Sequence, residues 1–122
     1  MAIAPYGYAH EKLVGAMDVM ATGKGSRRHR LARAGRDYLF RLSNPKQHRL
    51  PPDLAESLAS LLDELTSVRP QTRSDDSFEA TARNMHWKKA ERLAQQLFNL
   101  FLAVVELRRQ AAAKLDFEGE AC

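Results

Sequence analysis

Apolar residues recur at three- and four-residue intervals in four stretches of the chain, which is the spacing of one face of an α-helix. These stretches predict main helices from about Tyr8 to Ala21, from Arg27 to about Leu42, from Pro52 to about Ser67, and from about Trp87 to roughly Ala113. A short extra helix precedes the last one and ends near Asn84. No stretch shows the strict alternation of a half-buried strand. The pattern therefore predicts an all-α protein.

The predicted helix ends carry residues that cap or stop helices. Gly23 stops the first helix, because glycine accepts the left-handed conformation found at helix ends. Ser26 is placed to cap the second helix through its hydroxyl group. Asp76 and Glu79 form a capping box for the short extra helix. The proline-rich segment 43–52 indicates a loop.

Short connections between consecutive helices favour antiparallel neighbours. We therefore expect a single domain over residues 1–122, built as an up-down bundle of four main helices with a short extra helix before the long C-terminal helix. We expect frayed ends at about residues 1–7 and 115–122. Residues 69–76 are expected to form a mobile loop.

The last main helix has an apolar arc wider than a single buried face needs. Phe98, Leu102 and Val105 lie beside its regular stripe and extend the arc to about half the circumference. Such a helix lies at the centre of a bundle or contributes to a contact between subunits. We expect a homodimer with these three residues at its interface.

Charge is unevenly distributed along the chain. The whole sequence carries a net charge of +4, but residues 1–50 carry +7, residues 51–80 carry −5 and residues 81–122 carry +2. A basic first half beside an acidic middle indicates a nucleic-acid surface, or else attraction between elements of one bundle or between two subunits. The composition is otherwise that of an ordinary globular protein, with 44% hydrophobic and 28% charged residues.

The second predicted helix contributes most of the basic charge. Basic side chains lie opposite its apolar stripe, and Arg27 and Arg28 occupy its first turn, where the helix dipole disfavours cations and a bound anion would stabilise them. The candidate anion- or partner-binding residues are Lys24, Ser26, Arg27, Arg28, Arg30, Arg33, Arg36 and Arg41. They favour a helical interaction or regulatory module with a protein partner. The alternative is a nucleic-acid-binding accessory protein, because arginine also suits phosphate oxygens.

No motif in the sequence indicates catalysis. The segment 22–26 resembles a phosphate-binding loop, but Asp18 stands where the first glycine of a Walker motif belongs, and a helix precedes the loop instead of a strand. The four histidines lack metal-ligand spacing, and no serine or cysteine is placed for nucleophilic catalysis. We therefore expect a non-enzymatic protein with no catalytic, metal or cofactor site. No role is assigned to Cys122, the single cysteine.

Residues Met20 to Ala34 resemble a pattern in a family of small uncharacterised bacterial all-helical proteins. In that pattern a helix ending Ala-Thr-Gly-x-Gly leads into a helix with Arg-Leu-x-x-Ala, followed by a helix that begins with proline. The corresponding residues here run from Ala21 to Gly25 and from Arg30 to Ala34, and the resemblance covers the first half of the chain. It implies an all-helical fold and a bacterial origin, and it brings no activity or catalytic residue.

Three features of the sequence bear on location. The start of the chain lacks the pattern of a secretory signal, and the longest apolar stretch, Leu100 to Val105, is far shorter than the roughly 20 residues that span a bilayer. A lone cysteine offers no disulfide framework. We expect a cytoplasmic protein that does not enter the membrane.

Overall fold

The computed structural model describes residues 6–120, and all regular secondary structure in this part of the chain is helical, which confirms the all-α prediction. The elements are α1 (Gly7–Thr22), α2 (Arg27–Asp37), a 3₁₀ helix (Leu39–Leu42), α3 (Pro45–His48), α4 (Pro52–Leu65), α5 (Ser77–Arg83) and α6 (Trp87–Glu120). None of these helices is both long and apolar enough to cross a membrane. Cys122 and parts of both predicted frayed ends lie outside the described residues.

The second helix is shorter than its apolar pattern predicts, because it ends at Asp37 and not near Leu42. Tyr38 leaves helical geometry, with φ −126° and ψ −55°. The Tyr38 ring lies against Gly15 of α1. It is so close that a β-carbon added to Gly15 would be only 2.7 Å from the ring Cζ. Helix α2 thus ends where Tyr38 packs on α1, and Arg41 lies in the following 3₁₀ helix.

The segment predicted as a loop contains the one-turn helix α3. The Asn44 side chain accepts a hydrogen bond from the Lys46 N–H at 3.0 Å, and Pro45 occupies the first turn. Proline is tolerated there because the first N–H groups of a helix have no partner within it. The Asn-Pro pair therefore begins a helix in this chain, although the same pair also marks loops.

Helix α2 lies at the centre of the fold, in contact with α1, α4, α5 and α6. Ala32, Ala34 and Gly35 are buried on it, and their small size lets the neighbouring helices approach closely. The Phe78 ring of α5 covers Gly35. The largest fully buried side chains are Leu13, Leu31, Leu39, Leu42, Leu58, Leu61, Leu65, Leu93, Leu97 and Val104. The core thus draws on both halves of the chain.

Candidate interaction surface

The outward face of α2 is determined by the residues that the helix buries. Its N-terminus is capped as predicted, because the Ser26 Oγ accepts a hydrogen bond from the His29 N–H at 3.4 Å. On the side away from the core, His29, Arg33 and Arg36 are exposed, and Phe40 comes next in the 3₁₀ helix. We call these four residues the outward face.

Two arginines of the predicted site lie between helices. Arg28 donates from Nη1 to the Met85 carbonyl, just after α5, at 3.2 Å, and Arg30 donates from Nη1 to the Met20 carbonyl, in the last turn of α1, at 2.5 Å. Both side chains are half-buried. Carbonyl groups at the C-terminal end of a helix have no partner within it and attract cations. Arg28 and Arg30 therefore tie α2 to its neighbours.

Arg36 forms ion pairs within the chain. Its guanidinium lies 3.3 Å from carboxylate oxygens of Asp37 and Asp76 and 3.5 Å from Glu79. Burial alone would lower the pKa of Arg36, but the hydrogen bonds and charges of Asp76 and Asp37 outweigh it and raise that pKa. Asp76 and Glu79 come from the N-cap and the first turn of α5 and belong to the acidic segment 51–80, so these ion pairs are an attraction between elements of the same chain.

Three cations of the predicted site are exposed. Lys24, Arg27 and Arg33 form no ion pair and no side-chain hydrogen bond with any residue whose side chain the structure describes, which are residues 6–114. Arg41 is also exposed, and its Nε donates to the Asp37 carbonyl at 3.3 Å. The surface available to a partner is thus less basic than the count of arginines implies.

An apolar groove lies beside the outward face. It has a volume of about 310 Å³, and its walls come from the 3₁₀ helix, α3, α4 and α5. The Phe40 side chain on its rim is 62% exposed, and its ring meets the Phe78 ring edge-on at 6.4 Å. Leu58 and Leu62 contribute to the apolar lining, and Asp63 is among the few polar groups.

His48 lines the same groove and is buried. Its Nδ1 accepts a hydrogen bond from the Leu50 N–H at 3.0 Å, so the proton of the neutral ring is on Nε2. Burial lowers the pKa of His48. The groove therefore contains an uncharged imidazole at neutral pH.

The groove could not be predicted from the sequence. Phe40 was a visible signal, since it is a large apolar residue among arginines on the polar side of a helix. The other walls are brought together by tertiary packing across 38 positions of sequence, from Phe40 to Phe78. No local pattern records such a juxtaposition.

The predicted dimer residues form an exposed apolar stripe on α6. Phe98, Leu102 and Val105 are 41%, 47% and 37% exposed, and their i, i+4, i+7 spacing places them on one side of the helix.

Neither a metal-ligand cluster nor a known relative assigns a chemistry to these surfaces. No three His, Cys, Asp or Glu side chains lie close enough to share a metal ion within the part of the chain that the structure describes. Comparison with protein-family models, with curated proteins and with solved structures gives no match. A function must therefore be inferred from the geometry alone.

Proposed function

We propose that this chain is a non-enzymatic helical interaction module, and that it binds a protein partner through the outward face of α2 and the adjoining apolar groove. The observation that carries this proposal is the exposed Phe40 ring on the rim of a concave apolar surface. Exposed aromatic residues beside a groove are typical of the centre of protein interfaces.

The charges beside the groove specify the partner further. Arg33 is exposed on the outward face and forms no ion pair with the side chains described over residues 6–114, so a carboxylate of the partner would find a cation there. Arginine is enriched in protein interfaces because its planar guanidinium both stacks and forms paired hydrogen bonds. We expect the partner to place an apolar side chain in the groove and an acidic side chain opposite Arg33.

The proposal also includes the assembly. The helices α1, α2, α4 and α6 are taken as an up-down bundle, and two copies of it are taken to associate in the cytoplasm through Phe98, Leu102 and Val105 on α6. The exposed i, i+4, i+7 stripe supports this dimer, because burying exposed apolar side chains against a second copy is favourable.

Quantitative co-purification from the source cells tests the proposed surface. Wild-type protein, Phe40→Asp and Arg33→Glu would be used as baits at equal loading, with Arg73→Glu as a matched control because Arg73 is exposed in the connection after α4. We expect one or more proteins to be retained by the wild type and the control and lost with both surface variants. Retention unchanged by Phe40→Asp, or no protein retained by the wild type, would contradict the proposal.

A further inference from the structure

The first turns of α2 and α6 lie at the same end of the molecule. The hydrogen bond from Arg28 Nη1 to the Met85 carbonyl, 3.2 Å long, brings the first turn of α2 to within two residues of Trp87. Trp87 begins α6, and its side chain is 60% exposed. A large aromatic ring is thus held in solvent beside the start of the arginine-rich helix.

Two nitrogen-bearing side chains lie close to this exposed ring, and two further cations lie at the start of α2. The Lys88 ammonium lies 5.6 Å from the centre of the Trp87 ring, and the His86 ring centre lies 5.7 Å from it. Lys24 and Arg27, which precede and begin α2, are exposed.

The acids on the neighbouring turns are fewer than the cations, and they form no ion pair with them among the described side chains. Asp18, one turn before the end of α1, accepts a hydrogen bond from the Thr22 hydroxyl at 3.4 Å, and Glu91, one turn into α6, is exposed. Neither forms an ion pair with a side chain in the range 6–114. The end of the molecule therefore combines net positive charge with an exposed aromatic ring.

We infer that this end of the molecule binds single-stranded nucleic acid, with one base stacked on Trp87 and the flanking phosphates held by Lys88, Arg27 and Lys24. An exposed aromatic ring beside cations is the combination with which proteins hold single strands, because every base has a face that stacks. A duplex keeps its bases inside the stack and offers none to Trp87.

The rest of α2 supports a single strand over a duplex. A helix that tracks a duplex groove needs a row of available basic side chains, but Arg28 and Arg30 bind carbonyl groups and Arg36 binds carboxylates. The inference does not rest on the proposed protein partner, since Phe40 lies beyond the other end of α2, roughly 15 Å from its first turn along the helix.

Intrinsic fluorescence provides a direct test, because Trp87 is the single tryptophan of the chain. A 15-nucleotide oligothymidylate would be added to the full-length protein at several salt concentrations. We expect quenching of the Trp87 emission and an association constant that falls as salt rises. Three phosphate contacts give a slope of about −2 in a plot of log K against log salt for a single strand.

Variants assign the binding to this end of the molecule. With a fluorescently labelled oligothymidylate, Trp87→Ala should weaken binding by about 5- to 150-fold, which corresponds to the loss of one stacked base, and Trp87→Phe should restore most of it. Arg27→Ala and Lys88→Ala should each make the salt slope shallower by about 0.7. Lys46→Ala on α3 is the matched control, since it removes an exposed cation elsewhere.

Several results would overturn the inference. They are the absence of quenching at low salt, binding unchanged by Trp87→Ala, and tighter binding of a 15-base-pair duplex than of the single strand. Equal or tighter binding of polyglutamate would also overturn it, because that result would assign this end to acidic protein segments.

Discussion

Replacement of Gly35 by alanine tests the central packing of the fold. A β-carbon at this position would lie 2.6 Å from both Cδ1 and Cε1 of the Phe78 ring and 3.4 Å from Cδ1 of Leu65. Alanine in an unobstructed helix is more stable than glycine by about 1 kcal/mol. Inserting a methyl group into a filled site costs about 1–3 kcal/mol. We therefore expect a net loss of about 1 kcal/mol in the free energy of unfolding, and a melting temperature about 4 °C lower.

Urea unfolding monitored by circular dichroism measures this change. Gly7→Ala is the matched control, because a β-carbon there meets nothing within 4 Å, and it should leave stability unchanged or raise it. In a Phe78→Leu background the Gly35→Ala change should be neutral or stabilising, since the obstructing ring is gone. If Gly35→Ala raised the free energy of unfolding of the otherwise unchanged protein by about 1 kcal/mol, the close contact between α2 and α5 would be refuted.

Three further predictions concern pH, assembly and helix contacts. Burial lowers the pKa of His48 in the folded protein. As the pH falls below about 6.5, the His48 ring is therefore protonated more readily in the unfolded chain than in the folded one. The free energy of unfolding measured in urea should therefore decrease from pH 7 to pH 5. The decrease should be smaller for His48→Asn, which keeps an acceptor for the Leu50 N–H. An equal decrease in both proteins would exclude a role for His48. In sedimentation velocity the wild type should be a dimer and Leu102→Asp a monomer with an unchanged helical circular dichroism spectrum, whereas a monomeric wild type at micromolar concentration would refute the α6 interface. Arg30→Met should lower the free energy of unfolding by about 1–2 kcal/mol, because the Met20 carbonyl loses its hydrogen-bond donor. Arg33→Met is the control and should change that free energy by no more than about 0.5 kcal/mol. Equal effects of the two substitutions would show that the Arg30 contact is not stabilising.

The sequence predicts those helices whose apolar spacing agrees with their packing. Helix α4 buries Leu58, Leu61 and Leu65, which belong to its regular stripe, and it ends within two residues of the predicted position. The end of α2 could not be predicted in this way, because Tyr38 leaves the helix to pack on Gly15, a residue 23 positions earlier. Local spacing carries no information about that contact.

The candidate sites differ in the same way: features that depend on one helix can be predicted from the sequence, and features that depend on contacts between elements cannot. Helical periodicity places Arg33 on the polar side of α2, and the structure leaves it exposed, since exposure there depends only on position around one helix. For α6 it predicts a wide apolar arc, of which the structure leaves Phe98, Leu102 and Val105 exposed. Helical periodicity also places Arg30 opposite the apolar stripe of α2, whereas its guanidinium reaches the Met20 carbonyl in the last turn of α1. A long side chain can reach a neighbouring helix from a position that periodicity assigns to solvent. The groove needed four elements and was beyond any local pattern.

Helix α2 packs against elements from both halves of the chain, so neither half keeps its packing when the other is removed. The connection from residue 66 to residue 76 is the longest between the helices, and a truncated protein would normally be divided there. Deleting α5 and α6 would strip the cover from Gly35 and leave Arg28 and Arg36 without their acceptors on those elements. Deleting the helices from α1 to α4 would leave α5 and α6 with their apolar sides in water. Truncation is therefore a poor route to separate the two proposed binding regions, and point substitutions on the intact chain are the suitable means.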